Sequence, residues 1–132
     1  DIAICSIDYK KMLLEYAGAY NPLYIVRDNE IVITKGDKFA IGSFNPYTKS
    51  FATHKIPLLA GDIVYVFSDG YADQFGGLKG KKYMYKQFRE TLLSIKDLPM
   101  EEQRLALDNK IETWKGSYEQ VDDILIIGVQ IN

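Results

Sequence analysis

The first part of the chain alternates short apolar runs with polar turns, the pattern of β-strands joined in hairpins. Apolar runs at residues 2–8 and 12–17 are separated by a polar turn and predict a first hairpin. Runs at 23–26 and 31–34 flank Asp28-Asn29, two residues that tolerate the left-handed backbone of a tight turn. Four strands in succession favour an antiparallel sheet.

A loop and three further strands are predicted in the rest of the β-rich sequence. Residues 36–50 are rich in Gly, Asn and Pro and predict an irregular loop. Residues 51–58 and 62–67 predict two strands that meet at a turn around Gly61. Residues 121–131, "VDDILIIGVQI", are rich in Ile, Leu and Val, which predicts a buried strand because the segment is too short for an isolated helix.

Between the last two strands the apolar period becomes helical. Apolar residues recur at spacings of three and four in residues 81–95 and again in residues 98–116, where Pro99 suits a first turn and Gly116 a stop. The predicted inner faces are Met84, Phe88, Leu92 and Ile95 in the first helix, and Met100, Leu107, Ile111 and Trp114 in the second. The sequence therefore predicts an α+β fold with two helices set between strands.

Composition narrows the class of protein. The chain has 132 residues, of which 47% are hydrophobic and 26% charged, as expected for one globular domain over residues 1–132. A net charge of −2 gives no basic field for nucleic acid or for direct contact with an anionic membrane. Cys5 has no second cysteine to pair with, and no run approaches the roughly 18 apolar residues that span a bilayer. These features predict a cytoplasmic domain.

Carboxylates stand at the ends of two predicted buried strands. Asp69 follows the strand at 62–67, while Asp122 and Asp123 open the last strand. If these strands are antiparallel neighbours, both ends fall on one edge of the sheet, with facing positions about 5 Å apart. Clustered carboxylates without Cys or His favour a hard cation such as Mg²⁺ or Mn²⁺, and Gly70 would let the backbone turn sharply beside it.

Each of these acidic positions also has a purely structural interpretation. Ser68-Asp69-Gly70 is a common turn in which the Asp side chain bonds its own backbone. Asp122-Asp123 is equally typical of a solvated strand start that protects a sheet edge. Asp73 suits a solvated or capping position as well as metal chemistry. The pattern alone leaves both interpretations open.

Three segments resemble a known family in their order and spacing. "LEYAGAYNPLYIV", "LLAGDIVYVFSDGYADQFGG" and "EQVDDILIIGV" are similar to three successive blocks of the SpoIIE/RsbU-type serine/threonine phosphatase domain, a bacterial branch of the metal-dependent PPM phosphatases. The resemblance implies a β-sandwich flanked by helices, with two Mn²⁺ or Mg²⁺ ions held by aspartates at one edge. It implies that Asp69 and Asp122 are metal ligands, that Asp123 lies beside the second ligand, and that Gly70 matches the adjoining family glycine.

The resemblance lacks one block of the family. The amino-terminal block, which supplies further metal-binding aspartates, has no counterpart, because Asp1 is followed at once by an apolar strand. This implies that the chain is the carboxyl-terminal portion of the phosphatase domain and a poor catalyst when isolated. Strand edges left exposed in such a fragment would also let it pair with a second copy as a homodimer.

The resemblance implies a metal-dependent phosphatase that hydrolyses phosphoserine or phosphothreonine in a bacterial signalling protein, whose parent chain can be membrane-anchored. The implied substrate is a phosphoprotein, in many relatives an anti-sigma-factor antagonist. Lys79, Lys81 and Lys82 are weaker candidates for docking it, since "GGLKGKKY" is also typical of a mobile loop and is one residue too short for a nucleotide-binding loop. The alternatives are a non-catalytic binding module on the same scaffold, and an unrelated sandwich whose aspartates are turn residues.

Overall fold

The structure is a computed structural model that describes residues 1–42 and 50–132. Within those ranges it has nine strands and three helices. The strands are β1 (Ile2–Asp8), β2 (Leu13–Ala19), β3 (Leu23–Arg27), β4 (Glu30–Thr34), β5 (His54–Pro57), β6 (Ile63–Phe67), β7 (Phe75–Gly76), β8 (Lys81–Lys82) and β9 (Ile126–Gln130). The helices are α1 (Gly70–Asp73), α2 (Tyr85–Ile95) and α3 (Met100–Lys115).

Seven of the strands form two antiparallel sheets. One has the order β1-β2-β5 and the other the order β4-β3-β6-β9. Both predicted hairpins are confirmed, but the expected sheet of four successive strands is wrong, because the hairpins lie in different sheets. The chain crosses between them at Tyr20, whose φ of 64° turns the backbone sharply between β2 and β3.

The four-stranded sheet separates two apolar cores. On β3, Leu23 and Ile25 face the three-stranded sheet, whereas Tyr24 and Val26 face the helices. Strand β6 divides its side chains between the two cores in the same way. Strand β6 is apolar throughout, and β3 is apolar up to its last residue, Arg27, because both faces of these strands are buried. The result is a sandwich of two sheets with helices on the outer face of the larger one, which confirms the predicted α+β fold.

The two long helices follow the predicted pattern except at one start. Phe88 and Leu107 lie in the helix-side core, and Gly116 ends α3 by donating its N–H to a carbonyl one turn back. Met84 was expected on the inner face of α2, but α2 begins only at Tyr85 because residues 81–82 belong to β8. Met84 therefore precedes the helix, with a φ of 75° and an exposed side chain. In the described part of the chain, the helices all fall short of the length and apolarity needed to cross a membrane.

The predicted loop at 36–50 is described only in part, since residues 43–49 lie outside the described ranges. Residue Asp37 forms an isolated bridge with Ala19 at the end of β2. The strand expected over residues 51–58 is shorter than predicted, because only His54–Pro57 pairs with β2.

A buried ion pair fixes the start of β6. Asp62 is 2% exposed and accepts hydrogen bonds from Arg27 Nε at 2.9 Å, from Arg27 Nη2 at 2.6 Å and from the Leu59 N–H at 2.8 Å. Burial raises the pKa of Asp62, but the hydrogen bonds and the Arg27 charge outweigh it, so the net pKa is lowered. The ion pair therefore holds β6 in register with β3, at the end opposite to Asp69.

Candidate metal centre

The pairing of β6 with β9 brings the predicted aspartates to one edge of the sheet. The strands are antiparallel neighbours whose last paired residues are Phe67 and Ile126. Asp69 lies two residues beyond Phe67, and Asp122 and Asp123 lie shortly before Ile126. This confirms the antiparallel arrangement on which the predicted convergence depended.

Ser68 ties the two segments together beyond the last strand pair. Its N–H donates to the Leu125 carbonyl at 3.0 Å, and its Oγ accepts a hydrogen bond from the Leu125 N–H at 3.0 Å. The same hydroxyl donates to the Asp123 carbonyl at 2.7 Å. From the sequence, Ser68 was interpreted only as a turn residue. Its position directly before Asp69 was the one signal that it could tie the segment after β6 to the segment before β9.

Gly70 is required for close approach of two backbones. A Cβ at this position would lie 2.9 Å from the Asp123 carbonyl carbon and closer still to its oxygen. Gly70 begins the one-turn helix α1 directly after β6 and is not among the glycines with positive φ, so close approach and not a left-handed backbone is what requires glycine here. The absence of a side chain at Gly70 therefore sets how near Asp123 lies to the segment that carries Asp69.

The aspartate side chains differ in their surroundings. Asp69 is half-buried at the N-cap of α1, yet its side chain does not cap the helix, so the turn interpretation is not what the structure shows there. Asp122 and Asp123 are exposed, and Asp122 Oδ1 accepts the Asp123 N–H at 2.7 Å. The Asp69 carboxylate therefore caps no helix, whereas the Asp122 carboxylate is engaged by the neighbouring Asp123 N–H.

Asp73 and Tyr85 surround the same carboxylate. Burial, together with the charges of Asp69 and Asp73, raises the pKa of the Tyr85 phenol to about 12. Asp73 also forms an ion pair with Lys82 at 3.1 Å between Oδ1 and Nζ. Tyr85 had no sequence signal, because it lies off the predicted inner face of the helix over residues 81–95. Two carboxylates and a phenol that stays protonated therefore share one partly desolvated region.

The donor atoms suit a hard divalent cation but are too few for two. Asp69, Asp122 and Asp123 offer oxygen ligands of the kind that Mg²⁺ and Mn²⁺ prefer. Within residues 1–42 and 50–132, however, no group of three His, Cys, Asp or Glu side chains is placed to hold a metal ion. Since each ion takes about six oxygen ligands, a complete centre needs further groups.

A groove beside β9 lies apart from the candidate aspartates. A groove of about 560 Å³ runs between α3 and the outer edge of β9, and none of the three candidate aspartates lines it. Its walls include Leu107 of α3 and the exposed side chains of Leu125 and Ile127. Its apolar lining beside an edge strand is suited to packing against polypeptide, and it offers no carboxylate cluster for catalysis.

Comparison with known protein families identifies the family of this chain. The family model described as Stage II sporulation protein E (SpoIIE) matches residues 1–132, the whole chain. The chain belongs to the SpoIIE family. A comparison of this SpoIIE-family chain with curated proteins found no match.

Solved phosphatase domains have the same fold. The SiaA-PP2C domain of Pseudomonas aeruginosa is 28% identical, with a TM-score of 0.89 over 98% of this chain and 51% of that one. The phosphatase domain of SpoIIE from Bacillus subtilis is 20% identical, with a TM-score of 0.64 over 99% and 58%. The RsbU and RsbW domains of Rv1364c from Mycobacterium tuberculosis are 19% identical, with a TM-score of 0.75 over 97% and 35%.

These comparisons confirm the predicted family and the PP2C-type fold. The SpoIIE-family chain spans about half the length of the solved domain from Pseudomonas aeruginosa. One solved form of the Bacillus subtilis phosphatase domain was presoaked with Mn. The assignment of Asp69, Asp122 and Asp123 to a metal centre in this chain stays a prediction.

Proposed function

We propose that this SpoIIE-family chain is the carboxyl-terminal portion of a metal-dependent protein serine/threonine phosphatase domain. The observation that carries the proposal is the β6–β9 pairing, which sets Asp69 and Asp122-Asp123 at one sheet edge. The substrate is a phosphoserine or phosphothreonine side chain of another protein. Carboxylates at this edge suit metal-assisted hydrolysis, and the same edge holds no Cys or His among the described residues that would serve as a nucleophile.

In this proposal each residue has a separate task. Asp69 and Asp122 would hold Mn²⁺ or Mg²⁺, with Asp123 beside them, and the ion would supply water activation and charge neutralisation for phosphoester hydrolysis. Ser68 fixes the separation of the two segments through its bonds to the Asp123 and Leu125 backbones. Gly70 keeps the Asp123 backbone close to α1. These contacts pre-organise the ligands before an ion binds.

The remaining ligands are assigned to the other half of the phosphatase domain. Strand β9 is at the edge of its sheet, directly after Asp122 and Asp123, and its outer face is lined by exposed apolar side chains such as Ile127. A strand from the other half of the phosphatase domain that paired with β9 would have one end next to Asp122 and Asp123. The 132-residue segment alone is accordingly expected to be a weak catalyst.

The proposed setting is a cytoplasmic bacterial signalling pathway. The phosphoprotein substrate is assigned to the class of anti-sigma-factor antagonists. The similar Rv1364c structure contains an RsbU and an RsbW domain. That similarity establishes the fold, and the substrate class rests on the family resemblance.

Substitution of the candidate ligands in the native-length protein tests the function. Asp69→Asn and Asp122→Asn should each lower Mn²⁺-dependent phosphate release from a phosphoserine peptide by about a hundredfold or more, with unchanged folding by circular dichroism. Asp28→Asn is the matched control, because Asp28 is exposed in the β3–β4 turn and Asn tolerates its positive φ. Full turnover by either ligand variant would contradict the assignment.

A non-catalytic binding module is the second candidate function. It is favoured by the lack of a three-ligand metal group among the described residues. This alternative predicts that the native-length protein folds yet neither binds Mn²⁺ in calorimetry nor releases phosphate. Tight Mn²⁺ binding that Asp69→Asn abolishes would exclude it.

A further inference from the structure

The short hairpin β7–β8 is fixed against the end of α3 by three glycines. The Gly77 N–H donates to the Trp114 carbonyl at 2.8 Å, and a Cβ on Gly77 would lie 2.8 Å from the Trp114 ring. A Cβ on Gly76 would lie 2.5 Å from the Trp114 carbonyl carbon, and one on Gly80 would lie 3.0 Å from the Tyr118 ring. The hairpin is therefore packed tightly against the end of α3, while the mobile-loop interpretation of this segment stays a prediction.

This packing presents an apolar side chain at the tip. Leu78 is fully exposed, and a groove of about 450 Å³ separates it from the end of α3. Trp114 and Tyr118 line the groove together with Lys110 and Lys115, and no carboxylate lines it. An exposed apolar side chain beside an aromatic groove is a feature found at recognition surfaces.

The charge around the tip is positive although the whole chain carries −2. Lys79 and Lys81 are exposed on the hairpin, and neither forms an ion pair within the described ranges. Lys110 adds a third such charge at the groove. Lys82 is different, because its Nζ is held by Asp73 at 3.1 Å. A local basic surface on an acidic protein favours an acidic partner.

The hairpin is also connected to the candidate metal centre. Its base is tied to α1 by the Lys82–Asp73 ion pair, and the Asp73 N–H donates to the Asp69 carbonyl at 3.0 Å. A phosphoprotein whose phosphate reaches Asp69 would therefore have neighbouring residues within reach of the hairpin.

We propose that this hairpin surface, formed by Leu78, Lys79, Lys81, Lys110 and Trp114, binds an acidic segment of the phosphoprotein substrate. An apolar side chain of that segment occupies the groove between Leu78 and Trp114, while its carboxylates face the lysines. The proposal rests on the proposed phosphatase function and names the chemistry by which that function selects its substrate. Lys82 is assigned to the hairpin base and not to docking.

Binding is measured separately from turnover. The probe is an unphosphorylated, fluorescein-labelled peptide of Asp, Glu and Gly residues around one Leu, compared with a peptide in which the acids are replaced by Asn and Gln. Anisotropy with the native-length protein should show binding of the acidic peptide that weakens with salt. Lys79→Glu/Lys81→Glu should weaken it about tenfold, and Leu78→Ser should weaken it without changing the salt dependence.

The matched control is Lys10→Glu/Lys11→Glu, which makes the same charge change on exposed lysines in the β1–β2 turn. Unchanged affinity in this control, together with the loss in the hairpin variant, would support the proposal. Equal binding of acidic and neutral peptides, or equal losses in both double variants, would overturn it. If the acidic peptide binds as expected but no phosphoserine peptide is hydrolysed, the docking surface stands and the phosphatase function fails.

Discussion

Replacing Gly70 with alanine adds one methyl group where α1 meets the backbone of Asp123. The new Cβ would lie 2.9 Å from the Asp123 carbonyl carbon, whereas ordinary contacts begin at 3.4 Å. The segment must therefore move by about 0.5 Å or more, and it cannot do so freely because Ser68 holds the Asp123 and Leu125 backbones. The substitution should displace Asp122 and Asp123 relative to Asp69.

Two magnitudes follow from this displacement. Overpacking against a fixed backbone costs about 1–3 kcal/mol in the free energy of unfolding, which in a chain of this size lowers Tm by about 4–10 °C. Misplacement of catalytic groups by up to about 1 Å costs as much as a hundredfold in rate, so Mn²⁺-dependent turnover should fall by about ten- to a hundredfold. Thermal unfolding and phosphate release measure these two consequences, and a calorimetric Mn²⁺ titration of the native-length protein tests whether ion affinity falls with turnover.

Gly61→Ala provides the comparison. Gly61 has a φ of 93°, so alanine there is strained by about 1–2 kcal/mol, but no atom lies within 4 Å of the added Cβ. This variant should lose stability yet keep Mn²⁺ affinity and turnover. The reasoning would be refuted if Gly70→Ala lost stability to a similar extent but bound Mn²⁺ and released phosphate like the unmodified protein.

Two further substitutions test the supports of the site. Asp62→Ala removes the partner of Arg27 from a buried pair and should cost about 3 kcal/mol in urea unfolding at pH 7. Because the pKa of Asp62 is lowered on folding, this stabilisation is present above the unfolded pKa of about 3.9 and is lost as pH falls through the folded value. The difference in unfolding free energy between the unmodified protein and Asp62→Ala should therefore shrink in acid. Ser68→Ala removes both hydroxyl bonds to the segment before β9 and should cost about 1–3 kcal/mol. The amide of Leu125 should then exchange faster with deuterium, whereas unchanged exchange would mean that the hydroxyl does not hold the segment.

The secondary structure was largely predictable because packing against the two apolar cores gives the apolar residues a regular spacing along the chain. Strand β6 is apolar throughout since its side chains enter both cores, and Phe88, Leu92 and Ile95 recur on one face of α2. The division of the strands between two sheets could not be predicted. It depends on the backbone turn at Tyr20, a residue type that rarely adopts positive φ.

The site was predictable only in outline. The positions of Asp69 and Asp122 at strand ends, with an assumed antiparallel pairing, were enough to place them at one edge. The contacts that set the distance between the two aspartate-bearing segments could not be predicted. They join Ser68 and Gly70 to the Asp123 backbone, more than fifty positions away in the chain. The hairpin β7–β8 likewise depends on contacts with Trp114, which no local pattern encodes.

The central position of β3 and β6 has a consequence for the order in which the protein opens. Each of these strands has a hydrogen-bonded neighbour on both sides and contributes to both apolar cores. Neither core can separate from the sheet without exposing them, so their amides should exchange only through global unfolding, while β1 and the edge of β9 exchange through smaller openings. A ligand bound at the carboxyl end of β6 would therefore slow exchange along the full length of β3 and β6, including amides far from the site itself, and would leave the smaller openings at the sheet edges largely unchanged.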